Sequence, residues 1–112
     1  MDPIPQHYTE TIAKRTFEAA TKGSKRPIVV EIGTPINDVP TVDGLDWRCP
    51  VKVSSRPDIN VQSACGIDSI QALELACKHL IYILAKQALN RGETLTLWGE
   101  PLKNEKAARH QQ

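Results

Sequence analysis

Apolar residues recur along this chain at two periods, and the change from one to the other divides it. Through 28–33 every second position is apolar, with Ile28, Val30 and Ile32 set against Val29 and Glu31, and the β-branched content suits a pleated strand. Through 46–53, Trp47, Cys49, Val51 and Val53 alternate with Asp46, Arg48, Pro50 and Lys52, which predicts the first set facing a core and the second facing out. Pro50 has no amide hydrogen for a ladder, so this strand is expected at a sheet edge or pairing late. The run 59–65 is expected to turn Ile59, Val61, Ser63 and Cys65 toward the core. An earlier run, 9–19, reads as a strand with Ala13, Arg15 and Phe17 on one side and Ile12, Lys14 and Thr16 on the other, although its propensities would also permit a short helix. Between 66 and 92 the spacing lengthens: Ile70, Leu73, Cys77, Leu80, Leu84 and Ala88 recur at helical steps and predict one amphipathic helix. Asp68 or Ser69 can cap its start, because a short side-chain oxygen there accepts from amides that lack an intrahelical partner. Gly92 can end it in a left-handed conformation. After it, 93–100 reads as a short strand with Leu95 and Leu97 on one face.

The predicted order is ββββαβ, a single α+β domain whose mainly antiparallel sheet is covered on one face by the long helix. Residues 1–8, with Pro3 and Pro5, read as a flexible arm, 9–101 as the domain and 102–112 as a polar tail. Two polar connections complete the picture. TKGSKRP at 21–27 reads as a turn. The stretch 34–46 holds Pro35, Asn37, Asp38, Pro40, Asp43, Gly44 and Asp46, residues that bond their own backbone, and reads as an exposed acidic loop.

A chain of 112 residues has room for one core. Only Tyr8, Phe17, Trp47, Tyr82 and Trp98 are aromatic, so that core must be mostly aliphatic. The net charge of +1 argues against a dedicated nucleic-acid binder, which needs a basic surplus to displace counterions from phosphate. The longest apolar run, 80–85, falls far short of the roughly 20 residues of a membrane-spanning helix. Charge is unevenly spread: Lys14, Arg15, Lys22, Lys25 and Arg26 crowd the first quarter, whereas 28–46 carries Glu31, Asp38, Asp43 and Asp46 and no Lys or Arg.

Candidate chemistry is thin. Cys49, Cys65 and Cys77 show no C-x-x-C pairing, and with no secretory leader in MDPIPQHYTE they suggest a reducing cytoplasm, each as a small buried hydrophobe. Cys77 and His79 lie two apart on a helix and diverge, so they make no nucleophile–base pair. The three Cys and three His have no paired zinc spacing, and no phosphate loop or nucleophile elbow is present, so neither a metal, a cofactor nor a catalytic residue is expected.

Two short motifs resemble a known pattern. W-x-C at Trp47 and Cys49, followed by G-x-D-S-x-Q-A-L-x-L-A at 66–76, is similar to a family of small uncharacterised bacterial proteins. The resemblance implies a shared fold and no assigned activity. The functional expectation therefore comes from surface character: a small non-enzymatic protein-binding module, in the manner of an immunity or inhibitor protein that neutralises a basic toxin or enzyme. Asp38, Asp43 and Asp46 in 37–46 would steer the partner electrostatically. Ile81, Tyr82 and Leu89, on the flanks of the helix, would offer an apolar patch. The alternative is a structural accessory domain that self-associates through the helix as a homodimer; the third is a small enzyme or ligand-binding module.

Overall fold

Gly23, at φ +89°, lets the chain reverse in the tight turn between β1 (Thr11–Thr21) and β2 (Ser24–Gly33), whose register then runs from Thr21 opposite Ser24 to Thr11 opposite Gly33. Only Lys22 and Gly23 of the expected polar connection form the turn; Ser24 to Pro27 are already strand. The computed structural model describes residues 4–55 and 57–102. In it, β3 (Ile36–Thr41), β4 (Gly44–Ser54) and β5 (Ile59–Gly66) follow, then the helix, then β6 (Thr94–Leu97) and β7 (Glu100–Pro101). All seven strands join one antiparallel sheet. The α+β class agrees with the pattern of the sequence, but five strands precede the helix and two follow it. The added β3 lies inside the stretch expected to be an acidic loop.

β4 is the centre of this sheet rather than its edge. β5 pairs along one side of it, from Trp47 opposite Gly66 to Ser54 opposite Ile59. Along the other side, β3 pairs with its first half as far as Arg48, and β2 with its second half from Val51. Cys49 and Pro50 fall between these two partners, which is how a central strand accommodates a residue with no amide hydrogen. Beyond β2 come β1, β6 and β7.

One face of the sheet buries Phe17, Ala19, Ile28, Val30, Ile32, Cys49, Val51 and Val53 against the helix. Asp68 caps that helix: its Oδ1 accepts from the Gln71 amide at 2.7 Å, while Gln71 Oε1 accepts from the Ile67 amide at 2.8 Å. The helix is α1 (Ser69–Leu75), a π-helical turn (Ala76–Leu80) and α2 (Ile81–Gln87) end to end. It stops before the expected Gly92, and the carbonyl of Ala88 accepts from Arg26 Nη2 at 2.8 Å.

The π turn changes which residues face the sheet. Ala72, Ala76, Ile81, Leu84 and Ala85 are buried, and the step from Ala76 to Ile81 spans one residue more than an α-turn allows. At about 100° per residue an unbroken α-helix would swing Ile81 well off the face that Ala76 occupies, and the wider turn brings it back. Ile70 and Cys77, expected on the core face, are exposed because the small Ala72 and Ala76 take the sheet-facing positions there and bring the helix close to the sheet.

Two expectations for the opposite face are also corrected. Register with β4 puts Ala64 and Gly66 of β5 on the helix side, which turns Ile59, Val61, Ser63 and Cys65 to the other face. Arg48, expected to face out, is completely buried. Its cover comes from the segment before β1: the His7 carbonyl accepts from Arg48 Nη1 at 2.9 Å, and Lys52 Nζ sits 4.7 Å from the centre of the Tyr8 ring. Gly33 permits this crossing, since a Cβ there would lie 2.4 Å from Thr9 Oγ1. Residues 1–3 of the expected arm and 103–112 of the expected tail lie outside the described residues.

Candidate functional site

β3 and β4 form a hairpin whose base is locked by an ion pair with a buried arginine and whose tip is apolar and open. At the base, Asp38 Oδ1 accepts from Arg48 Nε at 2.8 Å and Oδ2 from Nη2 at 3.0 Å, a two-pronged fit of carboxylate to guanidinium. Ser63 Oγ on β5 accepts from Arg48 Nη1 at 3.2 Å, so the pair ties three strands and the His7 segment together. With its nitrogen turned inward, the Asn37 amide donates to the carbonyls of Leu45 and Asp46 at 3.0 Å each. At the tip, Thr41 Oγ1 donates to the Gly44 carbonyl at 2.9 Å, and Gly44 takes φ +144°, a backbone that a Cβ would resist. What this frame presents is Val42, 89% exposed, with Leu45 at 56% and the exposed carboxylate of Asp43.

The three acidic residues expected to act together thus separate. Asp38 is spent on Arg48, Asp43 stands at the tip, and Asp46 is half-buried on β4 opposite Val39. Val42 and Leu45 escaped the sequence reading because they sit among turn-forming residues. The available signal was a lone β-branched valine at the centre of T-V-D-G.

A family model described as a domain of unknown function, DUF6968, matches residues 13–107. The chain belongs to that family. Among curated proteins and among solved structures, none matches it. The match spans the hairpin, with Asp38, Val42 and Arg48, and begins after His7 and Tyr8.

The helix flank expected to be free is mostly packed. Ile81 is buried, and Leu89 is half-buried against the core. The Tyr82 ring meets Phe17 edge to face, with centres 5.7 Å apart, and its hydroxyl accepts from Arg15 Nη1 at 2.7 Å. The extra residue of the π turn accounts for this, since it rotates Ile81 inward. Ile70, Leu75 and Ile83 are the large apolar helix residues left exposed. Sequence reasoning also missed Trp98, which is 82% exposed at φ +54° in the β6–β7 turn, with the Arg15 guanidinium 5.3 Å from its ring centre.

Of the three cysteines expected to be core filler, only Cys49 is buried, and Cys65 and Cys77 are exposed. Burial pushes the Cys49 thiol up to about 11, with the neighbouring Cys77 adding to the shift. Cys65 stands directly across from Arg48, yet burial pushes its thiol up too, and the guanidinium only partly offsets this. Neither environment favours a thiolate. No group of three or more His, Cys, Asp or Glu is placed to hold a metal ion among the described residues.

A cleft of about 340 Å³ opens where the helix ends, lined by Ser55, Asp58, Asn60, Leu84 and Ala88 beside Arg26. Arg26, expected in a solvated basic turn, is engaged: Nε and Nη2 reach both Glu93 oxygens at 2.8 and 2.7 Å, and Nη1 donates to the Ser55 carbonyl at 3.3 Å. The Arg26 hydrogen bond holds the Glu93 carboxyl below its ordinary range, and the same bond raises the guanidinium. Four of its five N–H groups are committed to Glu93, Ala88 and Ser55, so the cleft offers no open two-pronged anion clamp.

Proposed function

We propose that this chain is a protein-binding module that docks through the tip of the β3–β4 hairpin, in the manner of an immunity or inhibitor protein acting on a basic toxin or enzyme. The observation that carries the reading is Val42, an aliphatic side chain 89% exposed at the end of a hairpin whose base is fixed by the buried Arg48. Exposing a branched apolar side chain on a rigid support is unfavourable in water and useful in a complex, because a preorganised contact loses little entropy on binding. Asp43 beside it supplies the negative potential that speeds the approach of a basic surface. The reading sets the protein in a reducing cytoplasm, consistent with free Cys49, Cys65 and Cys77. Among the described residues no helix is long and apolar enough to cross a membrane.

Affinity capture with tagged protein, followed by mass spectrometry, tests this when run beside Val42→Asp. Recovery of one stoichiometric partner by the natural chain and its loss by the folded variant is the expected result. The same partner retained at full yield by Val42→Asp would rule the tip out as the docking element.

A further inference from the structure

The open edges of this sheet are not alike. An edge strand presents unpaired amides and carbonyls to any passing chain, and folds guard such edges with charge, proline, bulges or shortness. β3 carries Asp38, Pro40 and a register shift between Ile36 and Val39. The stretch of β1 beyond its pairing with β6 carries Lys14, Arg15 and a register shift between Thr11 and Ala13. β7 is two residues long and ends in Pro101. β5 has none of these devices. It runs for eight residues, INVQSACG, with no charge and no proline, and it pairs with β4 without a break in register.

We propose that the edge of β5 left unpaired among the described residues pairs antiparallel with β5 of a second copy, joining two sheets into one across a two-fold axis. The two-fold arrangement suits this strand because no charge meets its own image. Opposed side chains in such a pair lie on one face of the sheet, so the axis passes through a residue, and Gln62 and Ser63 are the central choices. Ser63 on the axis sets Val61 against the second copy's Cys65, and brings Ile59 to the end of the second copy's strand, next to Ile67 in the bend that follows it. Ile59 and Ile67 are 68% and 73% exposed, and both lie at the ends of that seam. The helix permits the approach. α1 lies across β4 and β5, so a strand spacing of about 4.8 Å at the new seam leaves the two α1 helices about 10 Å apart, an ordinary helix packing distance. Gln71, whose Cβ lies 3.0 Å from where a Gly66 Cβ would stand, and Leu75 one turn on share the flank that would face the second copy, and Leu75 is 38% exposed.

The inference stands apart from hairpin docking and has its own readout. Light scattering coupled to size-exclusion chromatography at about 100 µM should give twice the mass of one chain and fall toward a single chain on dilution. Lysine at an exposed edge position blocks pairing without disturbing a core, so Ile59→Lys and Gln62→Lys should each weaken the dimer at least tenfold with unchanged melting at low concentration. Val42→Asp should leave the mass unchanged. In a Cys77→Ser background, Val61→Cys should cross-link to Cys65 of the second copy on mild oxidation, since residues four apart in one strand are too far to bond. A single-chain mass at about 100 µM, or dimers that persist in both folded lysine variants, overturns the proposal.

Discussion

Asp38→Asn isolates the ion pair at the base of the hairpin. The change keeps the side chain's shape, but turns an NH₂ group toward a guanidinium that has only hydrogens to offer. Arg48 is 0% exposed and cannot move its charge into water, whereas Asp38 is 21% exposed and partly hydrated. Removing one member of a buried pair costs about 3–5 kcal/mol, and partial access of water to the vacated carboxylate position puts the expected loss near about 3 kcal/mol. Against a total stability of about 5–15 kcal/mol for a domain of this size, that is a large fraction. The reverse change, Arg48→Met, removes the enclosed charge and leaves Asp38 able to hydrate, so its expected loss is smaller, about 1–2 kcal/mol. Replacing both, Asp38→Val with Arg48→Met, should recover much of the loss, because apolar substitution of a whole buried pair is often close to neutral. Urea unfolding of these variants and the natural chain gives the comparison, with equal slopes showing that only stability has changed. If Asp38→Asn falls within about 0.5 kcal/mol of the natural chain, or Arg48→Met proves worse than Asp38→Asn, the pair does not hold the hairpin in the way argued.

Other perturbations have equally direct outcomes. Leu84→Ala, at a fully buried position, should cost about 2–5 kcal/mol, and Leu80→Ala, half-buried, measurably less; equal losses in urea would contradict the helix face described. Because the Glu93 carboxyl is held below its ordinary range, its bond to Arg26 adds stability above the unfolded-state value of about 4.3, and that stability fades as pH falls through the lower folded value. The melting temperature of Glu93→Gln should therefore decline less steeply with acid than that of the natural chain, and parallel curves would show that Glu93 contributes nothing there. A thiol reagent at neutral pH should modify Cys65 and Cys77 in the folded protein and reach Cys49 only on unfolding; prompt reaction of all three would show that Cys49 is accessible.

The sequence revealed its structure where local preference and tertiary demand agree. Ile28, Val30 and Ile32 alternate because one side of β2 lies under the helix, and Asp68 reads as a cap because its oxygen has one obvious use. Legibility failed where a distant partner overrides a local signal. Asn37, Asp38 and Pro40 are turn formers, yet pairing with β4 and the charge of Arg48 hold them in a strand. Arg48 reads as outward because alternation cannot reveal that His7, 41 residues earlier, will cover it. INVQSAC is nearly balanced between its faces, so composition does not say which one the helix takes. The second half of the helix face differs from the pattern for another reason: one extra residue in the single π turn leaves no mark in a pattern counted by threes and fours. At the proposed docking tip, Asp43 was legible from charge, but Val42 became visible only with the hairpin around it.

The crossing of His7 and Tyr8 over β4 also bears on the order of events during synthesis. These residues leave the ribosome well before the strand on which they rest, and their contacts to Arg48 and Lys52 close a long loop. Until β4 has been made and paired, they have nothing to lie against and Arg48 has no lid. Arg48 can therefore be fully enclosed only once both that early segment and β4 are in place. In the folded chain, lifting that segment away would expose the Arg48 charge to water again.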